Sequence, residues 1–296
     1  MTTVAYRTGW LQTLLDYITL TKPRITLLVL VTTAAAFWVA ARDFSLEVFV
    51  ITLGGTGLAS SAAGVFNCLF DRDVDALMAR TRTRPLPAGR VQPGAAALWG
   101  SLLLLASVMM LALGANLLAA GLALFAVLFY TFVYTLWLKR TSPWCTEIGG
   151  IAGAIPPLIG WAAASGRIDA PALVLFGILL LWQPPHFWAL ALGRAEEYRI
   201  AGLPILPVVY GDGATRRRTM LYTLALLPMS LALYYPLGTT GIVYAVGVTI
   251  LSLRLIYLAW QGWRAPSPDA TKRLFLYSLL YLAIVFSLLV LDTILL

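Results

Sequence analysis

Apolar residues run through this chain in long blocks, separated by short polar interruptions that recur at nearly even intervals. Crossing a hydrocarbon core of about 30 Å takes about 20 apolar residues in an α-helix. Nine segments meet that need, at roughly 24–41, 46–70, 95–114, 117–138, 146–165, 170–190, 218–236, 239–262 and 273–295. All are predicted to be helical, because lipid offers the backbone no hydrogen-bond partner and each segment must satisfy its own. The pattern therefore predicts an all-α fold: one nine-helix membrane bundle over residues 1–296.

Composition agrees with the pattern and removes the soluble classes. The chain is 60% hydrophobic and 11% charged, against about half and about a quarter in an ordinary soluble domain. A net charge of +8 would suggest nucleic acid in a soluble protein, but here the basic residues lie between spans. Arg7, Lys22 and Arg24 precede span one, and Arg72, Arg80, Arg82, Arg84 and Arg90 follow span two. Lys139 and Arg140 follow span four; Arg194, Arg199 and Arg216 to Arg218 follow span six; Arg264, Lys272 and Arg273 follow span eight. The opposite side has only Arg42 and Arg167. The excess of basic residues on one side sets the orientation, with the N-terminus cytoplasmic and the C-terminus outside. The expected location is a bacterial inner membrane, with no nucleic-acid partner. Residues 1–24 lack the charged head, apolar middle and small-residue cleavage site of a secretory signal and read as an amphipathic lead-in. Cys68 and Cys145 lie toward the cytoplasm, where a structural disulfide is not expected.

Candidate chemistry concentrates after span two, in NCLFDRDVDALMARTRTRPLPAGR (67–90), where three aspartates and five arginines sit together. Asn67, Asp71 and Asp75 are four residues apart, so on a helix they drift by only about 40° per step and share one face. Two carboxylates and an amide, without His or Cys, suit a hard cation such as Mg²⁺, which takes few carboxylates and completes its shell with water and phosphate. Arg80 and Arg84 lie close behind with guanidinium groups that match phosphate oxygens. Metal ligands beside arginines describe a diphosphate site. Lys139, at the same side of the bundle, is a further diphosphate candidate. The competing reading is a solvated loop that only sets topology. It fits the arginines better than the acids, which contribute little to topology.

These residues resemble a known family. Asn-x-x-x-Asp-x-x-x-Asp at the end of the second span is similar to the first aspartate-rich motif of the UbiA superfamily of intramembrane prenyltransferases. LTKPRIT (20–26), DALMARTRTRPLPAG (75–89), IGGIAGAIPPLIGWAAASG (148–166), QPPHFWALAL (183–192) and AGLPILPVV (201–209) resemble the haem-farnesylating branch of that superfamily. The resemblance implies transfer of a farnesyl group from farnesyl diphosphate to the 2-vinyl group of haem b, with addition of water, giving haem O. It also implies an active-site cavity open to the cytoplasm, Mg²⁺ as cofactor, and haem A synthase or terminal-oxidase assembly factors as downstream partners.

The second motif of the superfamily, usually Asp-x-x-x-Asp after span six, is here Arg194-Ala-Glu-Glu-Tyr198. Arg194 then becomes a diphosphate candidate, Glu196 and Glu197 metal candidates and Tyr198 a catalytic candidate. An ordinary charged loop stays open. His186 is the only histidine. It is either a packing residue or, as an ionisable group near the bilayer, a functional one: catalytic, or facing haem. Lys22 and Arg24 either bind haem propionates or only fix topology. Glu147 and Arg254 fall inside spans five and eight. Tyr130, Tyr134 and Trp137 are placed in packing, with a cation-stabilising wall as the alternative. Two other functions remain: prenylation of a quinone precursor, which would not need the PPHFW stretch, and transport, which would put ionisable residues along a midplane pathway.

Overall fold

The computed structural model describes residues 9–295; Arg7 of the basic N-terminal segment lies outside them. Helix α1 (Trp10–Leu20) is amphipathic, exposing Trp10, Leu11, Leu14, Leu15 and Ile18 while burying Asp16 and Leu20. The first two spans are α2 (Pro23–Ala40) and α3 (Leu46–Phe70), followed by a short helix α4 (Arg72–Leu77). Next come α5 (Pro93–Gly114) and α6 (Leu117–Leu128); the latter widens into a π-helical stretch Phe129–Leu138 and ends in α7 (Lys139–Thr141). Span five breaks at Ile155 into α8 (Cys145–Ala154) and α9 (Pro156–Ser165), since Pro156 and Pro157 lack the amides needed to continue the helix. After α10 (Ala170–Leu192) and the short α11 (Ala195–Ile200) come α12 (Leu206–Leu231), α13 (Ile242–Arg264) and α14 (Pro268–Leu295).

Eight helices among the described residues are long and apolar enough to cross a membrane, which makes this an integral, multi-pass membrane protein. The remaining span of the sequence pattern, its seventh, corresponds to α12, and here the expected limits of 218–236 need correction. The helix begins at Leu206, kinks at Gly211 (φ 77°) and ends at Leu231. Arg216, Arg217 and Arg218 lower its hydropathy enough to resemble a loop, yet two of them are held by the bundle. Arg216 is buried and donates to the Gly262 carbonyl of α13 (3.0 Å) and to the Thr271 hydroxyl of α14 (3.2 Å). The Arg218 guanidinium lies 4.0 Å over the Trp144 ring. The connection expected at 191–217 is correspondingly shorter.

Two apolar cores lie side by side. One is built from α2, α3, α5, α6 and α9 around Phe37, Val65, Leu111 and Ile159. The other is built mainly from α10, α12, α13 and α14 around Ile178, Leu226, Tyr244 and Phe286. The ring of helices closes where α14 packs on α2. Close backbone approach matters at Gly160 of α9: a Cβ there would stand 2.2 Å from the Thr33 carbonyl oxygen of α2. Backbone, unlike a side-chain tip, cannot swing aside. Gly160→Ala is therefore expected to destabilise the fold by about 1–3 kcal/mol or more, read as a lower melting temperature of the detergent-solubilised protein.

Candidate prenyl-diphosphate site

The three side chains of the 67–75 motif converge as the spacing predicts, although the helix does not run straight through them. Helix α3 stops at Phe70, Asp71 takes a non-helical conformation, and α4 restarts at Arg72. The i to i+4 register survives the break, since the Asp71 amide donates to the Asn67 carbonyl (2.9 Å) and the Asp75 amide to that of Asp71 (2.7 Å). Asn67, Asp71 and Asp75 keep 5%, 2% and 2% of their surface exposed. Asp73, on the other face, points outward and is held by both terminal nitrogens of Arg140 (2.7 and 2.8 Å). The alternation of inward and outward acids follows from helical spacing alone.

Each buried acid meets a base. Lys139 donates to Asp71 Oδ2 (2.5 Å) and Arg84 to Asp75 Oδ2 (2.7 Å). The Asn67 amide nitrogen donates to Asp71 Oδ2 (2.8 Å) and to Thr135 Oγ1 (3.2 Å), while its carbonyl oxygen accepts from the Lys22 ammonium. Lys22 arrives through an unusual turn. It is the described non-glycine residue with positive φ (52°), a conformation disfavoured by about 1–2 kcal/mol for a residue with a Cβ. The following Pro23 helps by disfavouring the right-handed helical alternative. Gly64 of α3 makes room, since a Cβ there would stand 3.0 Å from the Leu20 carbonyl oxygen. Burial pushes the Lys22 ammonium below its ordinary pKa, and neighbouring Arg84 and Lys139 add to that effect. Lys22 therefore belongs to this cluster, while Arg24 is exposed with no ion pair or hydrogen bond among the described residues.

The π-helical stretch explains how one helix serves two acids. Thr135 donates to the Tyr130 carbonyl (2.9 Å) and reaches Asn67, and the next residues deliver Lys139 and Arg140 to Asp71 and Asp73. Such widened turns often occur at functional sites. Thr135 and the Asp73–Arg140 pair were not legible as site features; only helix register brings them in. Tyr130 and Tyr134 stack (5.1 Å between ring centres), whereas Trp137 is 59% exposed and turned away.

The second loop meets the first through a small apolar cluster. Val74 and Met78 pack with Leu138, Cys145, Ala191, Leu203 and Ile205, and Tyr198 packs against them. Arg80 lies 3.9 Å from Glu197. Its pKa is lowered by burial and by the nearby Arg194 charge, so Arg80 and Arg194 face a common region. Glu196 is exposed and paired with Arg199. Neither Glu196 nor Glu197 joins Asp71 and Asp75, and no group of three or more His, Cys, Asp or Glu side chains gathers among the described residues. The oxygen-bearing side chains gathered in this cluster are thus two carboxylates and one amide.

That set fits a hard divalent cation. Asp71 Oδ1 is buried with no hydrogen-bond partner, and an unpartnered carboxylate oxygen in a dry site is costly unless a cation or donor meets it. Three ligands also leave positions for phosphate oxygens and water, as Mg²⁺ prefers.

His186 lies elsewhere. Its ring is sandwiched between Trp182 (4.7 Å, 15°) and Phe275 (4.8 Å, 23°), and its Nδ1 is 2.8 Å from Ser278 Oγ. None of its hydrogen bonds or ring contacts reaches Asn67, Asp71 or Asp75.

Paired buried acids and bases at one end of a nine-helix membrane bundle define a class, and the comparisons agree with it. The chain belongs to the UbiA prenyltransferase family, whose model matches residues 28–284. It is 51% identical over 282 residues to the protoheme IX farnesyltransferase of Gloeobacter violaceus, covering 94% of this chain and 92% of that one. It is 47% identical to the protoheme IX farnesyltransferase of Symbiobacterium thermophilum, with 95% of each chain covered. Its fold is similar to that of digeranylgeranylglyceryl phosphate synthase (TM-score 0.81, 19% identity, 96% of this chain and 100% of that one). It is also similar to a UbiA homologue from Archaeoglobus fulgidus bound to GPP and Mg²⁺ (TM-score 0.64, 18% identity, 93% and 99% covered). At these identities the structural likeness speaks for the fold alone.

The Asp73–Arg140 pair offers a test of the site's outer wall. Arg140 holds the Asp73 carboxyl at about 2, below its ordinary 3.8. A depressed carboxylate stabilises the fold above its unfolded value and loses that contribution as pH falls through the folded one. The increment should therefore fade between about pH 4 and 2, and solvent screening keeps it under about 1 kcal/mol. Arg140→Ala should narrow the gap in melting temperature to wild type over that window, while a gap independent of pH would contradict the assignment.

Proposed function

We propose that this prenyltransferase moves the farnesyl group of farnesyl diphosphate onto the 2-vinyl group of haem b, with addition of water, giving haem O and diphosphate. The observation that carries the reading is the buried Asn67–Asp71–Asp75 face ringed by Lys22, Arg84 and Lys139, in a chain about half identical to named protoheme IX farnesyltransferases.

Asn67, Asp71 and Asp75 would hold Mg²⁺, which when bound supplies positive charge to the diphosphate oxygens. Arg84 and Lys139 then exchange their carboxylate partners, and Lys22 its Asn67 amide oxygen, for diphosphate oxygens, so the site stays near charge balance as substrate enters. Arg80 and Arg194 close over the same anion from the two loops. As the allylic C–O bond lengthens, negative charge grows on the leaving group, and prepositioned donors contribute most to charge that develops in the transition state. The farnesyl carbon bonds to the terminal vinyl carbon, leaving a cation on the carbon beside the pyrrole. Water adds there and a proton departs. Of the stacked Tyr130 and Tyr134, the first stands one π-helical turn before Thr135 and the second is its neighbour, and their ring faces can stabilise the allylic cation. Tyr198 packs where the loops meet and orders their closure. Arg24, exposed at the start of α2, is available to a propionate, and His186 faces the porphyrin. In this reading the arginine-rich end lies in the bacterial cytoplasm, and haem O passes to an oxidising enzyme or an oxidase assembly factor.

Membranes containing the protein, given haem b, farnesyl diphosphate and Mg²⁺, should yield a haem product heavier by one farnesyl group and one hydroxyl group. Chelation of divalent metal should abolish it, and Asp71→Ala should lower it by on the order of a hundredfold or more at equal expression. Prenylation of 4-hydroxybenzoate with no change to haem would point to the quinone branch instead.

A further inference from the structure

The hydrogen-bond partners of Ser278, on α14, determine which nitrogen of His186 carries the proton. The Ser278 hydroxyl lies 2.7 Å from the Phe275 carbonyl oxygen, a group that can only accept, and so donates its single proton there. The same oxygen is 2.8 Å from His186 Nδ1. With the serine proton committed, that contact is a hydrogen bond only if Nδ1–H donates and Ser278 Oγ accepts. The other tautomer would turn the serine proton toward Nδ1 and leave Nε2–H without an acceptor among the described residues. Ser278 is itself held, since the Trp182 indole N–H donates to its backbone carbonyl (2.7 Å). It is fully buried.

The imidazole is thus fixed in three ways: Trp182 and Phe275 cover its two faces and Ser278 holds one edge. The opposite edge carries Nε2, which has no hydrogen-bond partner among the described residues and is not among the sealed polar atoms. A neutral imidazole with one N–H anchored and the other nitrogen bearing a free lone pair is the arrangement of a metal-ligating histidine with its outer partner. Proline at 184 and 185 removes two backbone donors just before this residue, which loosens α10 where the ring must be aimed.

We propose that Ser278 is a positioning residue that locks His186 as the Nδ1–H tautomer, so that Nε2 coordinates the iron of the haem substrate. The proposal rests on haem being the acceptor, as argued above. Ligation through iron would fix the centre and plane of the porphyrin, leaving contacts at its periphery to select the vinyl edge.

The test compares two porphyrins on the full-length protein in detergent: haem b, followed by its Soret band, and metal-free protoporphyrin IX, followed by quenching of tryptophan fluorescence. His186→Phe keeps the aromatic stack without nitrogen and should remove the spectral signature of iron–imidazole ligation. Ser278→Ala should weaken haem b binding by about tenfold or more and leave protoporphyrin IX binding unchanged, and Ser278→Thr, which restores a hydroxyl, should recover haem affinity. Equal losses for both porphyrins would mean that Ser278 only packs, and an unchanged haem spectrum in His186→Phe would mean that the iron is not ligated here; either result overturns the proposal. Haem O formation by wild type, scored in parallel by mass, separates the two readings. Product with a spectrum indifferent to His186 sinks this inference alone, while no product from wild type sinks the activity.

Discussion

Two carboxylates kept almost wholly from solvent at the mouth of a membrane bundle set the terms for the structure around them. An ion in a dry site costs several kcal/mol unless charge and hydrogen bonds meet it, so Asp71 and Asp75 oblige the chain to bring bases from separate elements. Lys139 comes from the end of the π-helical stretch, Arg84 from the loop and Lys22 from the turn before α2. Each has a local cause: a widened helix, a Thr81 hydroxyl bonded to the Asp75 carbonyl (2.9 Å), and a left-handed lysine ahead of a proline. The charges proposed to bind substrate also hold the loops in place.

In the proposed reading that arrangement makes binding an exchange rather than an addition. Acids and bases satisfy one another, and a diphosphate with its metal would let the acids turn to the cation and the bases to the anion. The site would stay near electrical balance either way, which matters more near lipid than in water. The orphaned Asp71 oxygen marks where the balance is incomplete.

The apolar part of the bundle answers a different problem. Helices in lipid gain little from burying apolar surface and depend on close packing, so Gly160 brings α9 against α2 and Gly64 lets the 20–21 backbone reach α3. Polar groups deeper in the bundle are satisfied one by one. Asp292 caps the first turn of α13 through the amides of Gly241 and Tyr244, and Tyr281 lies between Ser230 and Ser252.

By itself the sequence determined the helices and the shared face of Asn67, Asp71 and Asp75, because lipid enforces span length and helical spacing enforces which side chains align. The 46–70 limits of span two and the inward aim of Asn67, Asp71 and Asp75 follow from those rules. Tertiary structure decided what local rules do not encode. Arg216 and Arg218 read as loop but lie in a helix, since carbonyls and aromatic rings on other helices receive them. Lys22, read with Arg24 from one basic cluster, parts from it because a glycine three residues before Asn67 admits its turn. His186 was legible as a singular residue, but its partner lies 92 positions away on α14, and only the packing of α10 against α14 could decide which nitrogen is free.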